Sequence, residues 1–217
     1  MLAITKDAWI PIPAEFRRWG APPPTHYIDA LMRHLGHTYY VGFLSAAQLH
    51  GAAHQAPMTF QIVSSAVIRD RKIGRSQLEF IRREHARERP TAKLTTPTGR
   101  ITVSTPEVTM LDLAESPSRG GGLSNVATIA AELLSNETLS KKRFAAAAST
   151  YPLAVVQRLG FLLERAASHA DVVLELDALA MLVESCEAVA LDPRSPSKGE
   201  RDRRWNVIMN NDVEIDE

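Results

Sequence analysis

YYVGFLSAAQLHGAAHQ, residues Tyr39–Gln55, is the stretch on which the reading of the fold turns. Tyr39, Tyr40 and Val41 are strand formers in a row, Gly42 breaks the run, and a helix of small and apolar residues follows as far as Gly51. Further strands are expected at Phe60–Ser64, Leu78–Ile81 and Arg100–Ser104. In the last of these Ile101 and Val103 share one face while Thr102 and Ser104 share the other, the period-two pattern of a half-buried strand. Pro97-Thr98-Gly99 supplies a turn before it. Thr105 then caps a helix with Pro106 at its first position and Glu107 in its first turn, where an acid suits the helix dipole. Upstream, Ala21–Pro24 is an extended elbow, and Thr25 is the expected N-cap of a helix carrying Ile28, Leu31, Met32 and Leu35, ended by Gly36.

Beyond Pro117 the pattern turns helical, with segments at Leu123–Leu134, Leu139–Ser149, Pro152–Ala167 and Val173–Cys186. Val155, Leu159, Leu162, Leu163 and Ala166 form one apolar stripe at helical spacing. The tail Leu191–Trp205 is rich in Pro and Arg and leads to an expected strand at Trp205–Met209. These elements predict an α+β fold: a small, mostly antiparallel sheet in the first half, with a helical layer from the second half packed against it.

A chain of 217 residues suits one domain, or one domain with a small appendage. Such a chain can bury about 70% of its unfolded surface, enough to stay folded without a disulfide or a metal. One cysteine, Cys186, excludes an internal disulfide framework and fits a reducing compartment. The N-terminus has no signal-like apolar run, and no stretch approaches the ~20 apolar residues of a membrane span, so a cytoplasmic location is expected. Net charge is zero but unevenly spread: residues 68–100 hold ten Lys/Arg against four Asp/Glu, and residues 101–217 hold eleven against eighteen. A local excess of positive charge steers a protein toward an anionic partner.

Constellations for catalysis are weak. His50 and His54 have the i, i+4 spacing of metal ligands, but Gly51 ends the helix between them and no Glu supplies a base. Gly120-Gly121-Gly122 lacks the Lys-Ser/Thr of a phosphate loop and reads as a hinge, with Ser124 capping the next helix. Glu107 and Asp112 lie five residues apart, which turns them away from each other on a helix; Asp112 reads as a structural anchor for a turn or an Arg. Ser45, Ser104 and Cys186 sit in no nucleophile motif. No metal, cofactor or enzymatic activity is expected. The better candidates are cationic. Arg69, Arg71, Lys72 and Arg75 surround a hairpin turn at Gly74, Arg82 and Arg83 end the next strand, and Arg201, Arg203 and Arg204 precede Trp205. Arginine pairs bidentately with carboxylates and phosphates and Trp offers a rigid anchor, so these ten residues are the expected partner-binding surface.

Taken in order, FRRWGAPPP, IDALMRHLG, the Tyr39–Gln55 segment, TPTGRITVSTPEVTMLDL, GGLSNVATIAAEL and LDPRSPSKGERDRRWNVIMN resemble the C-terminal domain of the AbiEi antitoxins, over roughly residues 10–210. The resemblance implies a division into residues 1–20, the remnant of a wing from an N-terminal winged helix; residues 21–190, the antitoxin domain; and residues 191–217, a tail. About seven residues precede the strand-like run Ala8–Ile12, so the DNA-reading helices of that module are expected to be missing. The function implied is that of a type IV antitoxin counteracting a cognate nucleotidyltransferase toxin, with or without a stable complex. The alternative is a transcriptional regulator binding its own operon, against which the incomplete winged helix argues.

Overall fold

The computed structural model describes residues 1–52, 58–136 and 138–215 and divides into two compact units. The first comprises Met1–Ala46 with Gln55–Thr105, and the second Ala47–His54 with Pro106–Glu217. His54 and Gln55 of the opening motif lie outside the described residues.

In the first unit β1 (Leu2–Ala3) and β2 (Trp9–Ile10) form a small antiparallel ribbon. The chain then turns through the Pro-rich elbow. Pro24–His26 is a 3-10 turn and α1 (Ile28–His34) starts after Tyr27, so Thr25 does not cap it. Ile28, Leu31 and Met32 are its buried face. β3 (Tyr40–Val41) runs into α2 (Phe43–Leu49), as the opening motif predicts. β4 (Thr59–Ser64), β5 (Arg71–Ile73), β6 (Ser76–Arg82), β7 (Thr91–Thr96) and β8 (Gly99–Ser104) complete a six-stranded sheet ordered β5-β6-β4-β3-β8-β7. Three of its neighbouring pairs are antiparallel and two, β4/β6 and β3/β8, are parallel. The sheet is therefore α+β in kind and antiparallel in the majority.

Position in the sheet explains the sequence of each strand. Central β4 buries four successive residues, Gln61–Ser64, because both of its faces are covered. β7, an edge strand, buries none, and its lysine and threonines are of the kind that discourage stray pairing. β7 was not expected from sequence, and β5 only as the first arm of the Gly74 hairpin; each is a short or polar edge whose ladder comes from its hairpin partner. The turn at Gly74 is as predicted, and Gly is required there. Its φ is +59°, and a Cβ would stand 2.7 Å from that of Ala21.

The second unit holds α3 (Pro106–Glu115), α4 (Leu123–Ser135), α5 (Lys141–Ala148), α6 (Leu153–His169) and α7 (Asp177–Val183). It also holds a three-stranded sheet of β9 (Val189–Ala190), β10 (Glu200–Asp202) and β11 (Val207–Met209). α3 is buried from Glu107 to Ala114, which makes it the central helix of its unit. The expected stripe on α6, Val155 to Ala166, is buried as predicted. Gly122, not Ser124, is the N-cap of α4; the Ser124 hydroxyl instead accepts from the Glu214 N–H at 3.1 Å. α7 is shorter than its apolar pattern suggests: Val173, ahead of it, is exposed, and the helix starts only after Leu176. Of the strand expected at Trp205–Met209 only Val207–Met209 forms; Trp205 and Asn206 lie in the turn of the β10–β11 hairpin, Asn206 in the left-handed conformation with φ 52°.

Candidate functional site

The predicted arginines fall into three groups once placed. Arg69 and Lys72 are exposed beside and on β5 and have no ion pair among the described residues. Arg75, at the β5–β6 turn, lies over the Trp19 ring at 5.7 Å. Arg71 is half-buried and donates to the Ile4 carbonyl at 2.7 Å, tying the N-terminal ribbon to β5. Arg82 is exposed, with Nε 3.4 Å from the Ser65 carbonyl, and Arg83 lies over the Phe43 ring at 5.8 Å.

The tail cluster is structural. Arg204 pairs with Glu164 at 2.8 Å and with Asp177 at 2.7 Å, linking the tail to α6 and α7. Arg201 donates to Asn206 Oδ1 at 2.6 Å, while Asn206 Nδ2 donates to the Val183 and Glu184 carbonyls. Arg203 is exposed at a shallow depression beside α7. Trp205 is fully buried rather than an exposed anchor, and this corrects the expectation. Gly160 leaves room for its indole, since a Cβ there would overlap the ring.

The carboxylates of α3 have structural partners. Glu107 is buried, accepts from the Ser140 N–H at 2.8 Å at the start of α5, and pairs with Arg143 at 2.9 Å. It thus serves the first turn of a different helix from the one it starts. Asp112 accepts from the buried Tyr151 hydroxyl at 2.8 Å, a structural role.

A site that the sequence reading did not assemble lies within the first unit, at the sheet edge opposite the arginine hairpin. A cleft of about 810 Å³ opens between α1, the lead into β3, the segment before β7, and the β7–β8 hairpin. Five cationic side chains line it, Arg33, Arg87, Arg89, Lys93 and Arg100, against one carboxylate, Asp29. Strand register explains the hairpin's share. Lys93 lies opposite Thr102 and Arg100 opposite Thr95, which puts these four on one polar face and leaves Ala92, Leu94, Ile101 and Val103 on the apolar one.

The cleft's polar network is well defined. Asp29 receives Arg33 Nε at 2.9 Å and the Tyr39 hydroxyl at 3.1 Å. The Tyr39 oxygen in turn accepts from the Thr102 N–H at 3.4 Å. Burial, reinforced by the nearby Asp29 charge, pushes the Tyr39 phenol well above its ordinary value, so it stays a neutral donor. Arg87 Nε donates to the Thr38 hydroxyl at 3.0 Å, Lys93 Nζ to the Thr102 hydroxyl at 2.6 Å, and buried Arg89 to the Tyr40 hydroxyl at 3.1 Å. Neutral hydroxyls thus fix the positions of Arg87 and Lys93 without cancelling their charge. Such a lining attracts anions. The excess of positive charge in residues 68–100 was the available signal, but Arg33 comes from a helix far upstream.

Among curated proteins none matches the sequence. The chain is similar in fold to the crystal structure of the RV2827C protein from Mycobacterium tuberculosis, with a TM-score of 0.60 at 15% identity over 89% of this chain and 76% of that one. The model of the AbiEi antitoxin C-terminal domain matches residues 40–165, which takes in every strand from β3 to β8 and most of the cleft's lining. The chain belongs to the AbiEi antitoxin C-terminal domain family, and its role is that of an antitoxin in a toxin–antitoxin system of the abortive-infection kind.

Proposed function

We propose that the protein is a type IV antitoxin that counteracts a nucleotidyltransferase-type toxin, acting by binding rather than by turnover. The match of the antitoxin domain to residues 40–165 carries this reading. A nucleotidyltransferase gathers acidic metal ligands at its centre, and exposed cations are the chemical complement of such a centre. Arg69, Lys72, Arg75 and Arg82 on the β5–β6 side fit that role, with Arg83 beside them and Arg203 as a separate contribution from the tail. Arg71, Arg201, Arg204 and Trp205 support the fold and contribute to partner binding only through it.

The test is growth rescue. The adjacent gene, on this reading that of the toxin, is induced in a heterologous host, with and without this chain. Rescue by the wild-type protein is expected, together with its loss when Arg69, Lys72 and Arg75 are all changed to Glu. These side chains are exposed and hold no internal ion pair among the described residues, so the variant is expected to accumulate like the wild type. Absence of rescue by soluble wild-type protein against an active toxin refutes the reading. Full rescue by the triple variant removes the β5–β6 cluster from it.

A further inference from the structure

We propose that the cleft between α1 and the β7–β8 hairpin is a binding site for a phosphate chain, carried by a nucleoside triphosphate or presented as inorganic polyphosphate. This goes beyond the antitoxin reading and does not depend on the identity of the toxin.

Charge is the first argument. Of the five cations lining the cleft, Arg33 is matched by Asp29, the sole carboxylate in the lining. Arg87 and Lys93 bond to threonine hydroxyls and Arg89 to the Tyr40 hydroxyl, while Arg87, Lys93 and Arg100 have no ion pair among the described residues. Three like charges held toward one concavity repel each other, and a multiply charged anion relieves that repulsion. A single carboxylate would answer one of them; a chain of phosphates answers all three.

Preorganisation is the second argument. Thr38 and Thr102 hold Arg87 and Lys93 in place before any ligand arrives, which lowers the ordering cost of binding. The arginines bring planar forks suited to phosphate oxygens and Lys93 a compact point charge. Tyr39 and His37 add aromatic edges to the same lining. The volume, about 810 Å³, falls within the range of roughly 300–1,000 Å³ typical of small-ligand sites.

A nucleic-acid strand fits less well. A groove that tracks a backbone needs cations along its length. Here the polar face of the hairpin continues into the neutral Thr91 and Thr95. Arg69, Arg71, Lys72 and Arg75 lie at the far edge of the sheet, with β6, β4 and β3 in between.

The experiment is calorimetric titration of the full chain with ATP and, separately, with tripolyphosphate at about 50 mM salt, where charge screening is weak. Saturable one-to-one binding is expected. It should weaken at least about tenfold in a Lys93→Ala/Arg100→Ala variant, as the loss of charge-assisted contacts implies. Tighter binding of ATP than of tripolyphosphate identifies a nucleotide as the carrier; equal binding identifies the phosphate chain alone, and either supports the proposal. Both substituted side chains are exposed, and an unchanged Tm confirms an intact fold. The proposal is overturned by absence of saturable binding of both probes at millimolar concentration, or by binding that the double variant leaves unchanged. Binding of a short RNA where ATP fails overturns it as well. Growth rescue by the same variant is read separately, so loss of nucleotide binding and loss of antitoxin action remain distinguishable.

Discussion

Trp205 and Gly160 show how a residue's neighbourhood overrides what its type suggests. A Trp after three arginines has the composition of a binding hot spot, yet the indole is fully buried and packs where Gly160 has no side chain. Trp9 and Trp19, by contrast, are 55% and 60% exposed. Acrylamide should therefore quench two tryptophans readily and leave one, blue-shifted, protected; uniform quenching would contradict the burial. Gly160→Ala should destabilise the protein by about 1–3 kcal/mol or more through overpacking. For a chain of this size that lowers Tm by about 2–4 °C for each kcal/mol, measurable by thermal unfolding. The arginines divide on the same principle. Arg204 holds two carboxylates from two helices, while Arg69 holds none among the described residues, and nothing in their local sequence separates them.

At the scale of elements, the strands that the sequence announced are those with a buried face. Ile101 and Val103 are buried on one face of β8, Thr102 on the other is half-buried, and Ser104 at the strand's end is buried as well. β7 went unannounced because its residues, Thr-Ala-Lys-Leu-Thr-Thr, are nearly all exposed and its hydrogen bonds come from β8. α7 was expected too long for the opposite reason: apolar residues such as Val173 precede it without being buried. The N-terminal ribbon is also an element held from outside itself. Arg71 reaches the Ile4 carbonyl across 67 positions of sequence. Arg71→Ala should raise amide exchange in residues 2–10 while leaving β4, β6 and β8 protected. Unaltered exchange in the ribbon would show that Arg71 is not its anchor.

For the whole molecule, pH offers a test that needs no partner. Burial raises the Tyr27 and Tyr39 phenols above their ordinary value near 10. Above about pH 10 the unfolded chain loses protons that the folded chain keeps, so stability is full below that pH and falls as pH rises through and beyond it. Tyr39→Phe should lower the urea midpoint at pH 7, where it removes the bonds to Asp29 and Thr102, and should make the decline between pH 10 and 11 shallower. An equally steep decline would show that Tyr39 does not contribute to it. Among the described residues no helix is long and apolar enough to cross a membrane. The α+β class, the strand-to-helix step at Val41–Phe43, the hairpin turn at Gly74, the start of α3 at Pro106 and the family resemblance were determined by the sequence alone. The family resemblance rests on the order of its motifs; the others rest on local stereochemistry or on the periodicity of burial, which neighbouring residues encode together. The cleft, the split of the arginines into anchors and exposed cations, and the interior place of Trp205 were decided only by the tertiary structure. Those depend on which distant segments meet, Arg33 with Arg100 or Gly160 with Trp205, and such meetings are set by strand order and helix packing rather than by any residue's own neighbours.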